Sequence, residues 1–461
     1  MAEGRAGATR RACHPFLCTS WEQALLERGN GDTARPTGRA GKTWSPFRTH
    51  DGAVTDEQHH ETPPSAHAAE PGQEPAAGTE PVPSLGRRRR RRPGRLAIGI
   101  GAVLLAVGLL IAGATVRVDK VIEAPGPTWN VLASGSAGEG DQDVITVTGA
   151  QTYPAGGALR MTTVSVSGCP SYPVTFFDVV GAWLSPDKKI LDREQVCPKS
   201  LSPQEVEQAN QAQMTSSQNT AVVAALMETG MATRMVLTIE GTGPGQTEAA
   251  VQQGDVLTSI TPDGGRTTRV TTYAELRELL TTIPVGTRVD LGIERAGEPM
   301  SVSLTTIEPA DANSDGEPDS EGSLLGVYLS AAADSDIDAT FGLSDVGGPS
   351  AGSMFALGII DELTPGDLTG GKDIAGTGTI ALDGTVGPIG GITQKMAGAR
   401  ADGSGYFLAP ASNCGDVVGH VPDGLEVYAV STLHEAVTTV EAIAAGDTSE
   451  ASTCESVLAQ Q

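Results

Sequence analysis

The stretch that decides the fold reads DVGGPSAGSMFALGIID over residues 345–361 and continues to residue 401 as ELTPGDLTGGKDIAGTGTIALDGTVGPIGGITQKMAGARA. Two reactive side chains stand out in it: Ser350, inside Gly-Pro-Ser-Ala-Gly, and Lys395, at the end of Gly-Gly-Ile-Thr-Gln-Lys. Each follows a Gly-rich turn and lies beside a helical pattern. A serine hydroxyl is a weak nucleophile until a base removes its proton. We therefore interpret Ser350 as a nucleophile and Lys395 as its base.

The turn at Ser350 allows three interpretations. A serine at the start of a helix is exposed, and unpaired N–H groups around it can stabilise an oxyanion, which we expect of Gly348 and Ala351. The serine could instead only cap the helix, as serines often do. The pattern G-x-S-x-G also matches the nucleophile elbow of α/β-hydrolases, which would need His420 or His434 as its base.

The role of Lys395 depends on its burial. An exposed lysine has a pKa of about 10.4 and cannot act as a base at neutral pH. Burial lowers that pKa, and a shift of about three units corresponds to roughly 4 kcal/mol. The apolar residues that could bury it are Val386, Ile389, Ile392 and Met396. The alternative is an ordinary solvated lysine at the start of a helix.

Three segments in order carry a family resemblance: Gly-Pro-Ser-Ala-Gly, Ala-Gly-Thr-Gly-Thr-Ile and Gly-Pro-Ile-Gly-Gly-Ile-Thr-Gln-Lys. Over residues 323–445 the chain resembles the proteolytic domain of Lon peptidases, which use a Ser-Lys dyad. The resemblance implies that Ser350 is the nucleophile, that Lys395 is the base and that Thr377 hydrogen-bonds the lysine amine. Where the Lon segment has Glu, this chain has Thr379, so no role is carried over to that position.

Residues 230–308 form a compact β-rich module in front of that segment. It contains a Gly-Asp-Val-Leu turn and a capping box, Thr272-x-x-Glu275, that opens a helix. The order of these elements resembles a PDZ domain, a family that binds chain ends by adding a peptide strand beside its helix. The strand residues implied in the groove are Met235, Val236 and Leu237. A PDZ-like spacer that binds no ligand is the alternative.

The N-terminal region predicts a membrane anchor. Residues 1–95 have the composition of a disordered tail and end in an arginine run, Arg87–Arg92, with Arg95 close behind. Residues 96–116 then carry no charge over 21 positions, which is enough to span a bilayer. The arginines predict a cytoplasmic N-terminus and an extracytoplasmic remainder. Signal cleavage after Ala112-Gly113-Ala114 and nucleic-acid binding by the arginines are the alternatives.

The charge distribution argues against nucleic-acid binding, and the sequence argues against ATP binding. The chain has 461 residues and a formal charge of −25. Residues 1–95 hold 15 basic and 11 acidic side chains, whereas the remainder holds 16 and 45, so the remainder would repel nucleic acid. Gly41-Lys42-Thr43 resembles the end of a phosphate-binding loop, but Pro36 occupies the place of its first glycine.

The cysteines after the apolar segment could form disulfide bonds, and an acidic segment resembles part of a calcium-binding loop. If the compartment is oxidising, Cys169–Cys197 plus Cys414–Cys454 is the simplest of three disulfide pairings, and four buried free thiols are the alternative. Asp311–Gly316 copies the first half of a calcium loop, but position twelve is Gly322, so we interpret 309–322 as an acidic linker. We expect neither a metal nor a cofactor.

These observations predict an α+β protein. Its expected parts are a disordered tail (1–95), a transmembrane helix (96–116), a β-rich segment with a helix (117–229), a PDZ-like module (230–308), an acidic linker (309–322), a Lon-type proteolytic domain (323–445) and a C-terminal tail (446–461). With an anchor and no ATPase, the chain resembles the ATP-independent, Lon-like membrane peptidases of bacteria, which implies protein substrates. A homo-oligomer is compatible with the sequence. The rival function is a PDZ-mediated binding protein with an inactive or self-processing peptidase domain.

Overall fold

The computed structural model describes residues 95–133, 143–169, 172–198, 200–246, 250–309, 320–343 and 346–460. These residues fall into two compact units, one with residues 95–107 and the other with residues 108–460. The predicted disordered tail, apart from Arg95, lies outside the described residues. So does most of the predicted acidic linker, including its calcium-like segment.

Capping residues set where the helices begin. The helix that starts at Pro203 follows a complete capping box between Ser202 and Glu205, and the helix that starts at Tyr273 follows the predicted one between Thr272 and Glu275. The helices of the described residues are α1 (Arg95–Thr115), α2 (Phe176–Trp183), α3 (Arg193–Val196), α4 (Pro203–Glu228), α5 (Tyr273–Thr282), α6 (Gly352–Leu363), α7 (Ile392–Ala401), α8 (Cys414–Val417), α9 (Leu433–Ala445) and α10 (Cys454–Leu458).

The strands alternate with these helices along the chain, so the predicted α+β class is confirmed. The strands are β1 (Lys120–Asn130), β2 (Ile145–Thr148), β3 (Ala158–Ser167), β4 (Lys189–Asp192), β5 (Met235–Thr242), β6 (Asp255–Pro262), β7 (Thr268–Arg269), β8 (Arg288–Arg295), β9 (Glu298–Thr305), β10 (Val327–Ala333), β11 (Asp338–Phe341), β12 (Asp373–Gly376), β13 (Thr379–Ile380), β14 (Val386–Gly387), β15 (Tyr406–Pro410) and β16 (Glu426–Val430).

The main sheet has the strand order β16-β15-β12-β3-β1-β4. Strands β3, β12, β15 and β16 run parallel to one another, whereas β1 is antiparallel to both β3 and β4. The sequence division put 117–229 and 323–445 in separate parts, but β3 and β12 pair directly and β2 pairs with β11. Both segments therefore build one folded unit, and the intervening module is an insertion in it.

Helices α4 and α6 pack together in the hydrophobic core of this unit. Phe355 and Met354 of α6 are fully buried beside Leu159 of β3 and Leu226 of α4. Burying one such side chain contributes about 1.5–3 kcal/mol. The core is thus shared between segments that lie on opposite sides of the insertion in the sequence.

The second sheet has the order β10-β5-β6-β8-β9, with β7 paired to β6. Helix α5 packs on it through Leu276 and Leu280, against Leu237 and Leu291 of the strands. The predicted module ended at residue 308, yet the sheet takes its edge strand, β10, from the segment assigned to the proteolytic domain. This addition changes which strand of the module has a free edge.

Two disulfides connect distant parts of the chain, and they have the simplest of the three possible pairings. Cys169 bonds to Cys197, and Cys414 bonds to Cys454. The second bond ties α10 to α8, and Cys454 is only 1% exposed. Most of the predicted C-terminal tail, 446–461, is therefore folded onto the main sheet.

The predicted membrane segment, 96–116, overlaps helix α1, whose side chains are described from residue 99 onward. Searched over its described residues, the chain contains no helix that is both long and apolar enough to cross a bilayer. The membrane span therefore stays a prediction.

Candidate active site

Ser350 lies in the turn that leads into helix α6. The N-cap of this helix is Ala351, and it makes no side-chain capping bond, so Ser350 is not the helix cap. The glycine at the first helical position is needed for close packing, because a Cβ on Gly352 would lie 2.6 Å from Ile380 and 2.7 Å from the Ser217 hydroxyl. The turn thus presents the Ser350 side chain next to the helix without using it for capping.

Helix α4 holds this turn from outside the predicted proteolytic segment. The Ser217 hydroxyl donates to the Pro349 carbonyl at 2.9 Å, and the Gly348 N–H donates to the Asn210 carbonyl at 2.9 Å. The sequence analysis singled out neither Ser217 nor Asn210. Asn210, Met214 and Ser217 are spaced by four and three residues, as on one face of a helix. This periodicity is the sequence feature that could have placed them together.

Lys395 is the fourth residue of helix α7. The N-cap of α7 is Gly391, whose φ of +68° lies in the left-handed region that favours glycine. The lysine side chain is 2% exposed, and the four apolar residues expected around it, Val386, Ile389, Ile392 and Met396, are all buried. The interpretation of Lys395 as a solvated surface charge is therefore wrong.

The structure brings together three of the residues singled out from the sequence. The amine nitrogen Nζ of Lys395 lies 2.7 Å from Oγ of Ser350 and 2.8 Å from Oγ1 of Thr377. The Thr377 hydroxyl donates to the Ser350 carbonyl oxygen at 2.9 Å, and the Gly378 N–H donates to the same oxygen at 2.8 Å. Thr377 is 1% exposed, so this network is protected from water on the lysine side.

The electrostatics of the site favour a neutral lysine. Burial lowers the pKa of Lys395 to about 7, and the negative charge of Glu123 opposes that shift. Burial also raises the pKa of Glu123, against the opposing charges of Lys189 and Lys395. A lysine with a pKa of about 7 is half deprotonated at neutral pH and can accept a proton. The sequence analysis did not identify Glu123 as a neighbour of the site.

A cavity of about 350 Å³ opens beside the serine and the lysine. Among the side chains that line it, Lys395 is the only ionisable one. Its apolar lining includes Trp129 of β1, Met161 of β3 and Met214 of α4. The cavity therefore adjoins the nucleophile, and apart from the lysine its lining is uncharged.

The two histidines considered as bases lie elsewhere. Nδ1 of His434 is 2.8 Å from Glu228, and the side chain is 74% exposed, while His420 is also exposed. The base within hydrogen-bond distance of Ser350 is Lys395, so the nucleophile-elbow interpretation does not describe this site.

The two expected oxyanion donors differ in their surroundings. The N–H of Gly348 is already bonded to Asn210, so it is not free to bind an oxyanion. The N–H of Ala351 makes no backbone hydrogen bond among the described residues. Ala351 therefore stays the predicted donor, and Gly348 serves to shape the turn, with a φ of +86°.

The expected peptide groove on β5 does not exist at that strand. Residues Met235, Val236 and Leu237 pair with β10 on one side, and on the other side β6 pairs with β5 from Leu237 to Ile239. The edge of these three residues that faces β10 is therefore occupied, and a peptide cannot add there. Sequence reasoning missed this because β10 comes from beyond the linker.

A metal site is not apparent in the described part of the chain, where no three His, Cys, Asp or Glu side chains are arranged to hold an ion. The chemistry at Ser350 can be followed with the protein side chains alone. A serine beside a buried lysine is the arrangement of a Ser-Lys hydrolase, in which the amine replaces the usual histidine base.

Comparison with known protein families supports a hydrolase at this site. Residues 333–443 match the model of the Lon protease (S16) C-terminal proteolytic domain. The match includes Ser350, Thr377 and Lys395. The segment is thus similar to the proteolytic domain of Lon proteases, and this similarity supports a serine peptidase.

Curated relatives agree over the same part of the chain. Lon protease 1 of Sorangium cellulosum is 44% identical over 92 residues, which cover 19% of this chain and 11% of the relative. Lon protease 2 of Bacillus subtilis is 37% identical over 106 residues, covering 22% and 18%. The mitochondrial Lon protease homolog of Drosophila melanogaster is 34% identical over 91 residues, covering 19% and 9%. The matches span less than a fifth of each relative.

Proposed function

We propose that this chain is a membrane-anchored serine endopeptidase that cleaves unfolded or membrane-proximal proteins without ATP. The observation that carries the peptidase proposal is the 2.7 Å separation between the Ser350 hydroxyl and the buried Lys395 amine. The Lon-type domain match supports the same chemistry.

The hydrogen bonds of Thr377 support the role that the family resemblance implies for it. A hydroxyl has one proton to donate, and Thr377 gives it to the Ser350 carbonyl oxygen. Its oxygen must then accept a hydrogen from the Lys395 amine at 2.8 Å. This bond uses one hydrogen of the amine and holds Nζ beside Ser350, where the lone pair of a neutral lysine can accept the serine proton.

The reaction follows from this geometry. Ser350 Oγ attacks the peptide carbonyl carbon, and the neutral Lys395 amine takes the serine proton. The N–H of Ala351 stabilises the oxyanion of the tetrahedral intermediate. The resulting ammonium of Lys395 then protonates the leaving amine, which leaves an acyl-serine. The regenerated amine activates a water molecule that hydrolyses the ester, and Ser350 is restored.

The proposal of ATP independence rests on the sequence. The candidate phosphate-binding loop at Gly41-Lys42-Thr43 is broken at Pro36. Without an ATPase to unfold its substrates, the enzyme needs chains that are already extended or flexible. The cavity beside Ser350 supports uncharged side chains at the cleaved bond, since its lining holds no acidic or basic group besides the catalytic lysine.

The proposed anchor and orientation rest on three observations. Residues 96–116 are uncharged, and an arginine run precedes them. The described apolar side chains of α1 are exposed, Leu104 at 67% and Leu109 at 63% among them. Two disulfides join the remainder of the chain, which suits an oxidising, extracytoplasmic compartment. The catalytic domain would thus act outside the cytoplasmic membrane.

We further propose that the PDZ-like module recruits substrates through the edge of β10 instead of β5. Strand β10 lies at the end of its sheet, and Ser330 and Ala332 on it are exposed. Strand β10 also pairs with β5 along Val327–Ala333, so it is a fixed part of the module to which a peptide strand could add. A photoreactive peptide from a cleaved substrate should crosslink to β10, and crosslinks only to other strands would contradict this role.

One assay distinguishes the proposed peptidase from the rival function, which is a binding protein with an inactive peptidase domain. Hydrolysis of an unfolded protein is measured without nucleotide for the wild type, Ser350→Ala and Lys395→Ala. Ser301→Ala and Lys188→Ala serve as matched controls, because both residues are exposed. We expect cleavage by the wild type and the controls alone. A wild type that binds but does not cleave would favour the rival, and equal cleavage by all five would refute the dyad.

A further inference from the structure

Helix α2 has an apolar face that points outward. The exposed fractions are 52% for Phe176, 41% for Phe177, 76% for Trp183 and 70% for Leu184, which directly follows the helix. Their spacing of one, seven and eight residues puts all four on one side of a helix. On the opposite side Ala182 is buried. We call the four exposed residues the aromatic face.

The charged residue of α2 does not lie on the aromatic face. Asp178 is bonded into the N-terminal cap, where its carboxylate accepts hydrogen bonds from the N–H and the hydroxyl of Thr175. A helix that is apolar on both sides is normally covered on both sides. The inner side packs against Ile122 and Val174, so the aromatic face needs a second apolar partner.

The aromatic face is fixed to the C-terminal end of α1. The Val118 N–H donates to the Val174 carbonyl at 2.8 Å, and the Phe176 N–H donates to the Val116 carbonyl at 3.3 Å. The Phe177 ring lies against Gly113, where a Cβ would come within 2.6 Å of it. The face therefore begins where the apolar helix ends.

The exposed apolar surface continues from the aromatic face onto this end of α1. Leu109, Leu110, Ile111 and Val116 are each exposed by between 55% and 63%. Two exposed lysines, Lys188 and Lys189, follow the aromatic face in the chain. This combination of an apolar helix end, exposed aromatic rings and nearby cations is typical of the boundary between acyl chains and anionic headgroups.

We propose that the aromatic face lies in the headgroup region of the bilayer and holds the catalytic unit against the membrane. This inference rests on the membrane anchor proposed above. The consequence concerns substrate choice. Strand β1 carries Ile122, which packs under α2, and Trp129, which lines the catalytic cavity. Seven residues of strand span roughly 23 Å, so one strand connects the support of the aromatic face to the cavity, and we expect the cavity to favour substrates emerging from the membrane.

The test measures the depth of Trp183 in lipid. The full chain is reconstituted into vesicles of phosphatidylcholine and phosphatidylglycerol that contain brominated lipids, which quench nearby tryptophans. We expect quenching in the wild type and loss of most of it in Trp183→Phe. Trp129→Phe is the matched control, and it should keep the quenching because Trp129 lines the cavity. Cleavage of a soluble peptide by Trp183→Phe checks that the variant is folded.

Vesicle flotation separates this inference from the anchor itself. If the full chain does not float with the vesicles, the anchor proposal fails and the inference fails with it. If it floats but Trp183→Phe keeps the wild-type quenching, the anchor stands and the inference is overturned. Unquenched Trp183 together with crosslinks between two copies across the aromatic face would also overturn it, since a second copy of the chain would then cover the face.

Discussion

The amine of Lys395 lies 2.7 Å from the hydroxyl of Ser350, although 45 residues separate them in the sequence. Neither side chain reaches this position by local structure alone. The serine is held by a turn that α4 and Thr377 brace, and the lysine is held by the first turns of α7 inside an apolar core. Because hydrogen bonds hold the serine turn and apolar packing holds the lysine, the two groups are positioned for reaction by the fold itself.

Thr377 bridges Lys395 and Ser350, so we expect valine and serine at this position to have different effects on kcat. Thr377→Val keeps the volume but removes the hydroxyl that accepts from the lysine and donates to the Ser350 carbonyl. Loss of a buried hydrogen bond costs about 1–3 kcal/mol, which corresponds to roughly a 5- to 150-fold lower kcat. Thr377→Ser restores the hydroxyl and should recover most of the rate. Equal kcat values for the Val variant and the wild type would show that Thr377 does not orient the lysine.

The pKa of Lys395 predicts the pH dependence of catalysis. The base works only as the neutral amine, and burial lowers its pKa to about 7. We therefore expect kcat/KM for a peptide substrate to rise with pH through an apparent pKa of about 7 and to level off above it. Removing the opposing charge, in Glu123→Gln, should shift the midpoint to lower pH. A profile without a transition between pH 6 and 9 would contradict a lysine base with this pKa.

The lowered pKa of Lys395 also predicts that the free energy of unfolding depends on pH. A lysine whose pKa falls on folding binds more protons in the unfolded state, so the free energy of unfolding rises with pH above the folded pKa. Lys395→Met cannot titrate at this position. Its stability relative to the wild type should therefore fall by about 2 kcal/mol between pH 7 and pH 9, as measured by urea unfolding at each pH. A constant difference would mean that the lysine is not desolvated in the folded state.

The sequence carried enough information for the dyad because its motifs are local. Ser350 and Lys395 each sit in a Gly-rich turn beside a helix, and turn chemistry can be read from neighbouring residues. Thr377 came from the family resemblance. The helix starts at Pro203 and Tyr273 were equally local, since capping boxes span four residues.

The long-range pairings could not be read in the same way. Nothing in the alternation of β3 indicates that it pairs with β12, more than 200 residues further on, because a strand pattern identifies a face and not a partner. The peptide groove was assigned to Met235–Leu237 for the same reason. Strand β10 is short and separated from the module by the linker, so its pairing with β5 became visible only in the fold.

The disulfide between Cys414 and Cys454 predicts a measurable contribution to stability. It closes a loop of 40 residues between α8 and α10. Chain entropy alone gives a stabilisation of about 4 kcal/mol for a loop of this length. We expect Cys414→Ala combined with Cys454→Ala to lower the free energy of unfolding by about that amount under oxidising conditions. Under reducing conditions the variant and the wild type should differ much less, and a gap that persists there would assign the loss to packing.

Asp361 lies near the C-terminal end of α6, the helix that follows the nucleophile. Its side chain is 1% exposed, Oδ1 accepts from the Leu368 N–H at 2.7 Å, and Oδ2 has no partner among the described residues. Burial raises the pKa of Asp361 to about 6, well above its usual value. A raised carboxyl pKa stabilises the fold at low pH, and that contribution is lost as pH rises through the folded pKa. Asp361→Asn keeps the acceptor for Leu368 and cannot ionise, so relative to the wild type it should gain about 2 kcal/mol in free energy of unfolding between pH 4 and pH 7. Urea unfolding of both proteins at the two pH values measures this gain, and identical pH dependence in the two proteins would show that Asp361 ionises freely in the fold.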